Sequence, residues 1–216
     1  MNDQSRLDVL IPCGTLTLEG ILECPDDHGD LPAAVICHPH PLYGGNMHNN
    51  VVRAVRKALL EKGMACLRFN FRGTGRSWGT HGEGIDEIQD VLAALDFIES
   101  QERVDPKRII LAGYSFGCWV GLHAASRDTR PSKLIGISPP LDVLDFSFLK
   151  NEKRPKLLVA GDNDFVCSVQ NFRKMMDEIP DPKHGVILNG VDHFHFGKED
   201  NLVREVTEFL DQNPTR

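Results

Sequence analysis

A serine with a glycine two residues to either side stands at the end of an aliphatic run: Ile109-Ile110-Leu111-Ala112 leads into Gly113-Tyr114-Ser115-Phe116-Gly117. A hydroxyl carried on a sharp strand-to-helix turn takes a strained backbone conformation, and its neighbours two positions away must lack a Cβ so that strand and helix can approach. Gly113 and Gly117 meet that need. Phe116, Trp119, Val120, Ala124 and Ala125 then recur at roughly helical spacing. Ser115 would therefore project from the start of a helix, where unpaired N–H groups and the helix dipole favour negative charge. That is the layout of a nucleophile beside an oxyanion site.

A serine hydroxyl is a weak nucleophile at neutral pH and needs a base within hydrogen-bond reach, itself oriented by an acid. The later chain offers both. Leu157-Leu158-Val159-Ala160 runs into Gly161-Asp162-Asn163-Asp164, and Val186-Ile187-Leu188 runs into Asn189-Gly190-Val191-Asp192-His193. Asp164 and His193 each fall just past a strand end, and the order Ser115, Asp164, His193 suits a serine on a strand–turn–helix. Asp162 and, more weakly, Asp192 compete for the acid role, and His195 competes with His193.

The elements that must position these groups show in the hydropathy pattern. Leu7, Val9 and Ile11 alternate with polar residues, Cys13-Gly14 interrupts, and Leu16, Leu18, Gly20 and Leu22 alternate again, which predicts an antiparallel hairpin at a sheet edge with one wet face. Short continuous apolar runs follow at 33–37, 65–69, 109–112, 134–137, 157–160 and 186–188, and these read as parallel strands buried on both faces. Helical patterns lie between them: Val51, Val55, Ala58, Leu59; Ile85, Ile88, Leu92, Leu95; the segment after Ser115; Phe172 to Met176; and Leu202, Val206, Phe209, Leu210. Alternating strands and helices with right-handed crossovers give a doubly wound, mostly parallel sheet, with its ligand crevice beyond the carboxyl ends of the strands.

With 216 residues, 41% hydrophobic and 25% charged, the chain suits a single α/β domain spanning 1–216. A formal charge of -7 argues against nucleic acid as a partner. The first residues, Met1 to Arg6, lack the basic and apolar segments of a signal peptide, and no apolar run reaches the length of a membrane span, so a cytoplasmic location is expected. The six cysteines are expected to be reduced, since Cys37 and Cys66 fall in buried strands and Cys118 in the helix after Ser115.

The chain resembles the α/β-hydrolases over nearly its whole length. More closely, it resembles the small cap-less bacterial hydrolases related to dienelactone hydrolase, through His38-Pro39-His40-Pro41-Leu42-Tyr43-Gly44-Gly45, Arg68-Phe69-Asn70-Phe71-Arg72-Gly73-Thr74-Gly75-Arg76-Ser77 and Asp192-His193-Phe194. The resemblance implies Ser115 as nucleophile, Asp164 as acid and His193 as base, because the family's acid falls three residues after the glycine that ends the strand. Asp162 is then left to bond loop backbone, and His195 to sit in the loop or at its rim. Dienelactone hydrolase itself carries a cysteine where this chain has Ser115. Many members also insert a lid before the acid-bearing strand. Here Pro139 to Arg154 leaves room only for a short piece, and the site is expected to be open.

The oxyanion hole should join the N–H of Phe116 to one from the loop after the 33–37 strand. Pro39 and Pro41 have no N–H, which leaves His38, His40 and Leu42 as donors. Alignment with the family selects His40. Leu42, Tyr43, Trp78, Phe146 and Phe148 are candidates for an apolar substrate pocket, or for filling gaps under the loops. The histidine pairs His38/His40 and His193/His195 lack a third ligand at a confirming spacing, so no metal is assigned, and His38 is expected to order its loop. His28, His48, His81, His123 and His184 read as surface or loop residues. Arg72 or Arg76 is expected to pair with Glu83, Asp86, Glu87 or Asp90, since the glycine-rich turn beside them matches no phosphate-binding spacing. The expectation is a serine hydrolase acting on a small or medium ester-like substrate through an acyl-enzyme, without a cofactor. Thioester or peptide cleavage, or a non-catalytic binding module, are the alternatives. Homodimer formation stays open.

Overall fold

The computed structural model describes residues 4–25 and 29–214, so His28 lies outside the described residues. Its strands are β1 (Gln4–Cys13), β2 (Leu16–Pro25), β3 (Leu31–Cys37), β4 (Ala65–Phe69), β5 (Val104–Tyr114), β6 (Pro131–Ile137), β7 (Lys156–Gly161) and β8 (Lys183–Leu188). They form one sheet in the order β1-β2-β4-β3-β5-β6-β7-β8. The hairpin β1–β2 is antiparallel, and β2 meets β4 antiparallel; all later pairings are parallel. The helices are α1 (Asn50–Glu61), α2 (Glu87–Glu99), α3 (Phe116–Ala125), α4 (Val169–Glu178) and α5 (Glu199–Gln212).

Strand side chains alternate between the two faces, and each face has its own helix layer. Ala33, Val35, Cys37, Ile109 and Leu111 pack with α2, α3 and α4. Ala34, Ile36, Ile110 and Ala112 pack with α1 and α5. The central strands are covered on both sides, which is why they read as unbroken apolar runs.

Three expectations are corrected. The far face of β2 is not wet: Glu19 and Glu23 are buried. Other elements bring arginines to them, so that Arg56 and Arg68 meet Glu23 at 2.5 and 3.3 Å and Arg76 meets Glu19 at 2.8 Å. β8 is an edge strand with only Leu188 buried, because among the described residues it has β7 on one side and no strand on the other. The buried stripe of α2 is Ile88, Val91, Ala94, Leu95 and Ile98, whereas Ile85 precedes the helix and is exposed.

The turn after β4 is anchored inward. Arg72 donates to the fully buried Asp90 from Nε, Nη2 and its backbone N–H, at 3.0, 2.8 and 2.9 Å. Arg72 thus takes two of its expected partners, Asp90 and, at 3.3 Å, Asp86, whereas Arg76 turns to Glu19. The connection between β6 and β7 lies flat against α3: the Trp119 indole N–H donates to Asp145 O at 2.8 Å and Phe148 stacks on His123 at 4.8 Å. It forms no lid. Among the described residues, no helix is long and apolar enough to cross a membrane.

Candidate active site

Ser115 follows β5 directly and caps α3, with φ 54° and ψ -120°. A non-glycine residue holds that conformation only where the surroundings enforce it. Here they do, through two glycines. A Cβ on Gly113 would lie 2.3 Å from Gly117 O, and one on Gly117 would lie 2.3 Å from His38 O and 2.5 Å from Cys37 O. Each clash is with backbone and cannot be relieved by a side-chain rotation. Gly117→Ala is therefore expected to push α3 away from the end of β3 and to cost about 3 kcal/mol of stability, read as a lowered urea midpoint with an unchanged slope.

The hydroxyl lies 2.9 Å from His193 Nε2, and His193 Nδ1 lies 2.9 Å from each carboxylate oxygen of Asp164. A carboxylate only accepts, so Nδ1 carries the proton and donates to Asp164, which leaves Nε2 to accept from Ser115. Ser115 is 8% exposed, and Asp164 and His193 are comparably buried. Burial pushes the Asp164 carboxyl up, but the bond and charge of His193, the Val166 N–H and the Ser138 hydroxyl outweigh it and hold the group below the usual carboxylate range. Asp164 Oδ1 also accepts from Val166 N and Cys167 N at 3.0 and 3.1 Å, which ties the acid to its own turn. The Tyr114 hydroxyl donates to His193 O at 2.8 Å and pins the base's loop to the strand that bears the serine. Asp162 instead accepts from Gly190 N at 2.7 Å and joins the two loops away from the imidazole.

His38 is fully buried. Its Nδ1–H donates to Pro39 O at 2.6 Å and its Nε2 accepts from Phe71 N at 3.0 Å, so both nitrogens hold backbone. Burial pushes it down to about 4, and it is neutral at pH 7. His40 lies with its ring against Phe116 and Tyr43, 4.7 Å from each, and against His81 at 4.9 Å. Of the loop's backbone donors, Leu42 N–H is taken by His40 Nδ1 at 3.2 Å, while among the described residues no acceptor lies against either His38 N–H or His40 N–H. Among those residues, no group of three or more His, Cys, Asp or Glu side chains is disposed to hold a metal ion.

The pocket candidates do not converge. Phe146 is buried in the core under the β6–β7 connection, and Phe148 covers His123. Trp78 is exposed and bonded through its backbone to Thr17. Leu42 lines a hollow of about 680 Å³ shared with Glu19, Asn46, Asn70 and Thr80, and Tyr43 stands out beside His40.

His195 is not at the rim: it is fully buried with φ 56°, and its Nε2 lies 2.8 Å from Ser138 Oγ. Burial pushes it down to about 4, so the ring is neutral. The hydroxyl of Ser138 that shares this hydrogen bond also helps to hold the Asp164 carboxyl below its usual range. Ser138, at the end of β6 with φ 44°, thus joins His195 to the acid, a role that its sequence context does not announce. The only local signal is its position, at a strand end adjacent to those of Ser115 and Asp164.

The family model described as serine aminopeptidase, S33, matches residues 32–153, a span that holds Ser115 and the β3 loop but ends before Asp164 and His193. An uncharacterized protein of Rickettsia prowazekii is 34% identical over 187 residues, covering 83% of this chain and 78% of that protein. An α/β serine hydrolase homologue from Coxiella burnetii superposes with a TM-score of 0.86 at 33% identity, covering 97% of this chain and 98% of that one. A lid-less serine hydrolase from Xanthomonas campestris gives 0.88 at 29% identity, covering 98% and 97%. With this sheet order and the serine, histidine and aspartate in register beyond its carboxyl edge, the chain belongs to the serine aminopeptidase S33 family of α/β-hydrolases and is one of its small, serine hydrolase-like members.

Proposed function

We propose that the chain cleaves a small or medium carboxylic ester through an acyl-enzyme on Ser115. The observation that carries this reading is the unbroken line from Ser115 Oγ through both nitrogens of His193 to Asp164, each step 2.9 Å. His193 Nε2 takes the Ser115 proton as Oγ bonds to the ester carbon, and Asp164 stabilises the imidazolium. The oxyanion forms toward the N–H groups of Phe116 and His40, where a single donor is worth about a hundredfold or more in turnover. The carbon–oxygen bond to the alcohol then breaks as His193 hands its proton to the departing oxygen, and water repeats the steps to release the acid. Six free cysteines fit a reducing compartment, which we take to be the cytoplasm.

Intact mass after treatment with a fluorophosphonate tests the mechanism. Wild type is expected to gain a single adduct and Ser115→Ala none, with hydrolysis of short-chain p-nitrophenyl esters unchanged by a chelator. Folded wild type that stays unlabelled would show that the triad does not work as a unit. Loss of turnover to the chelator would point to a metal.

A further inference from the structure

Three phenylalanines stand in solvent beside the base. Phe165, directly after Asp164, Phe194, directly after His193, and Phe196 are 64%, 45% and 71% exposed. Their rings adjoin: Phe165 and Phe194 are 5.6 Å apart between centroids, and Phe194 stacks on Phe196 at 5.9 Å and 22°. The imidazole of His193 touches this ledge, 5.5 Å from Phe165 and 5.9 Å from Phe194. Single exposed apolar residues are ordinary on a soluble protein, whereas a contiguous patch of them indicates a binding surface.

The ledge is built into the loop. Asp192 Oδ1 accepts from Phe194 N and His195 N at 3.0 and 3.1 Å, setting the turn. His195 is turned inward onto Ser138, so its neighbours Phe194 and Phe196 both stay outside. The rings are thus presented in place before any ligand arrives, which lowers the entropy lost on binding.

Proton transfer identifies the occupant. His193 Nε2 must reach the departing oxygen, so the alcohol portion of the ester lies against the imidazole. The oxyanion side is taken by Phe116 and the His40 ring with its neighbours Tyr43 and His81. Resting on the hydrolase reading above, we propose that Phe165, Phe194 and Phe196 form the leaving-group subsite, and that the substrates are esters of flat, apolar, aromatic alcohols. In this arrangement the scissile oxygen lies at Nε2 while the aromatic body of the alcohol lies along the three rings.

Kinetics on naphthylmethyl acetate and ethyl acetate test this, because the acyl group is the same and both leaving groups are primary alkoxides. Phe165→Ala and Phe196→Ala are each expected to lower the ratio of kcat/KM, naphthylmethyl over ethyl, by about tenfold, mainly through KM. A shift in His193 geometry alone would slow both esters together and leave the ratio unchanged. An unchanged ratio overturns the subsite, as does a change confined to an ethyl ester series of increasing acyl length, which would assign the ledge to the acyl side. If wild type hydrolyses neither acetate and takes no fluorophosphonate adduct, the hydrolase reading itself fails and the ledge with it.

Discussion

Ser115→Ala and His193→Ala are each expected to lower kcat for a short-chain p-nitrophenyl ester by about 10⁶, and the double variant to lose no more than either single one. The non-additivity follows from the geometry. Nε2 of His193 has one acceptor site, and the Ser115 proton occupies it. Without His193 the hydroxyl has no base, and without Ser115 the base has nothing to deprotonate. What survives is the oxyanion site and ordinary substrate binding, which still exceed the reaction in water by about 10³ to 10⁴. Turnover by the three variants, at matched concentrations and with trace wild type excluded, measures this. A double variant far slower than both singles would mean that the pair does not act as one device.

Asp164→Asn is expected to lower kcat by about 10⁴ with little change in KM, whereas Asp162→Asn should stay within a few-fold of wild type. An asparagine can present an N–H to His193 Nδ1, which then becomes the acceptor and moves the ring proton to Nε2, facing Ser115. The base is then blocked in the wrong tautomer. Among the described residues the Asp162 carboxylate accepts only from Gly190 N, across two loops, so its replacement alters no proton position at the imidazole. The same residue carries a pH signature. The Asp164 carboxyl is held below its ordinary value in the folded protein, so its contribution to stability is complete above the unfolded value and is lost as pH falls through the folded one. Urea midpoints followed into acid should therefore fall less steeply in Asp164→Asn than in wild type. A large loss in Asp162→Asn with near-wild-type turnover in Asp164→Asn would reverse the assignment of the acid.

Local signals make the serine legible in the sequence. A strand-to-helix turn leaves no room at Gly113 and Gly117, so the requirement for glycine appears directly in the residue types. The parallel strands were legible for a related reason: strands covered on both faces cannot alternate, and continuous aliphatic runs follow. Where a strand has an uncovered edge the rule weakens, as at β8. Where a polar stripe is buried against partners from distant segments it fails, as at Glu19 and Glu23, whose arginines come from α1, β4 and the turn after it.

The acid and base were legible only as strand-end residues in the right order, and the choice of Asp164 over Asp162 came from a family pattern. Their separation depends on how two loops fold over one another. Whether an aspartate meets a ring or a backbone N–H is a matter of ångströms that spacing cannot encode. His195 shows the limit well. Two residues past the base, it reads as a loop histidine, yet a positive φ and the hydroxyl of Ser138 turn it into the interior. The exposure of Phe165, Phe194 and Phe196 carries no local signal, since exposure is a property of the whole surface.

The chain alone determined a doubly wound sheet, a serine on a strained turn, and an aspartate and a histidine delivered by later strand ends, because each of these is written in contacts between near neighbours. Tertiary structure decided which aspartate faces the imidazole, how His195 is turned inward onto Ser138, and where the aromatic ledge lies. Those outcomes depend on side chains brought together from strands and loops far apart in the chain, and no local pattern carries that distance.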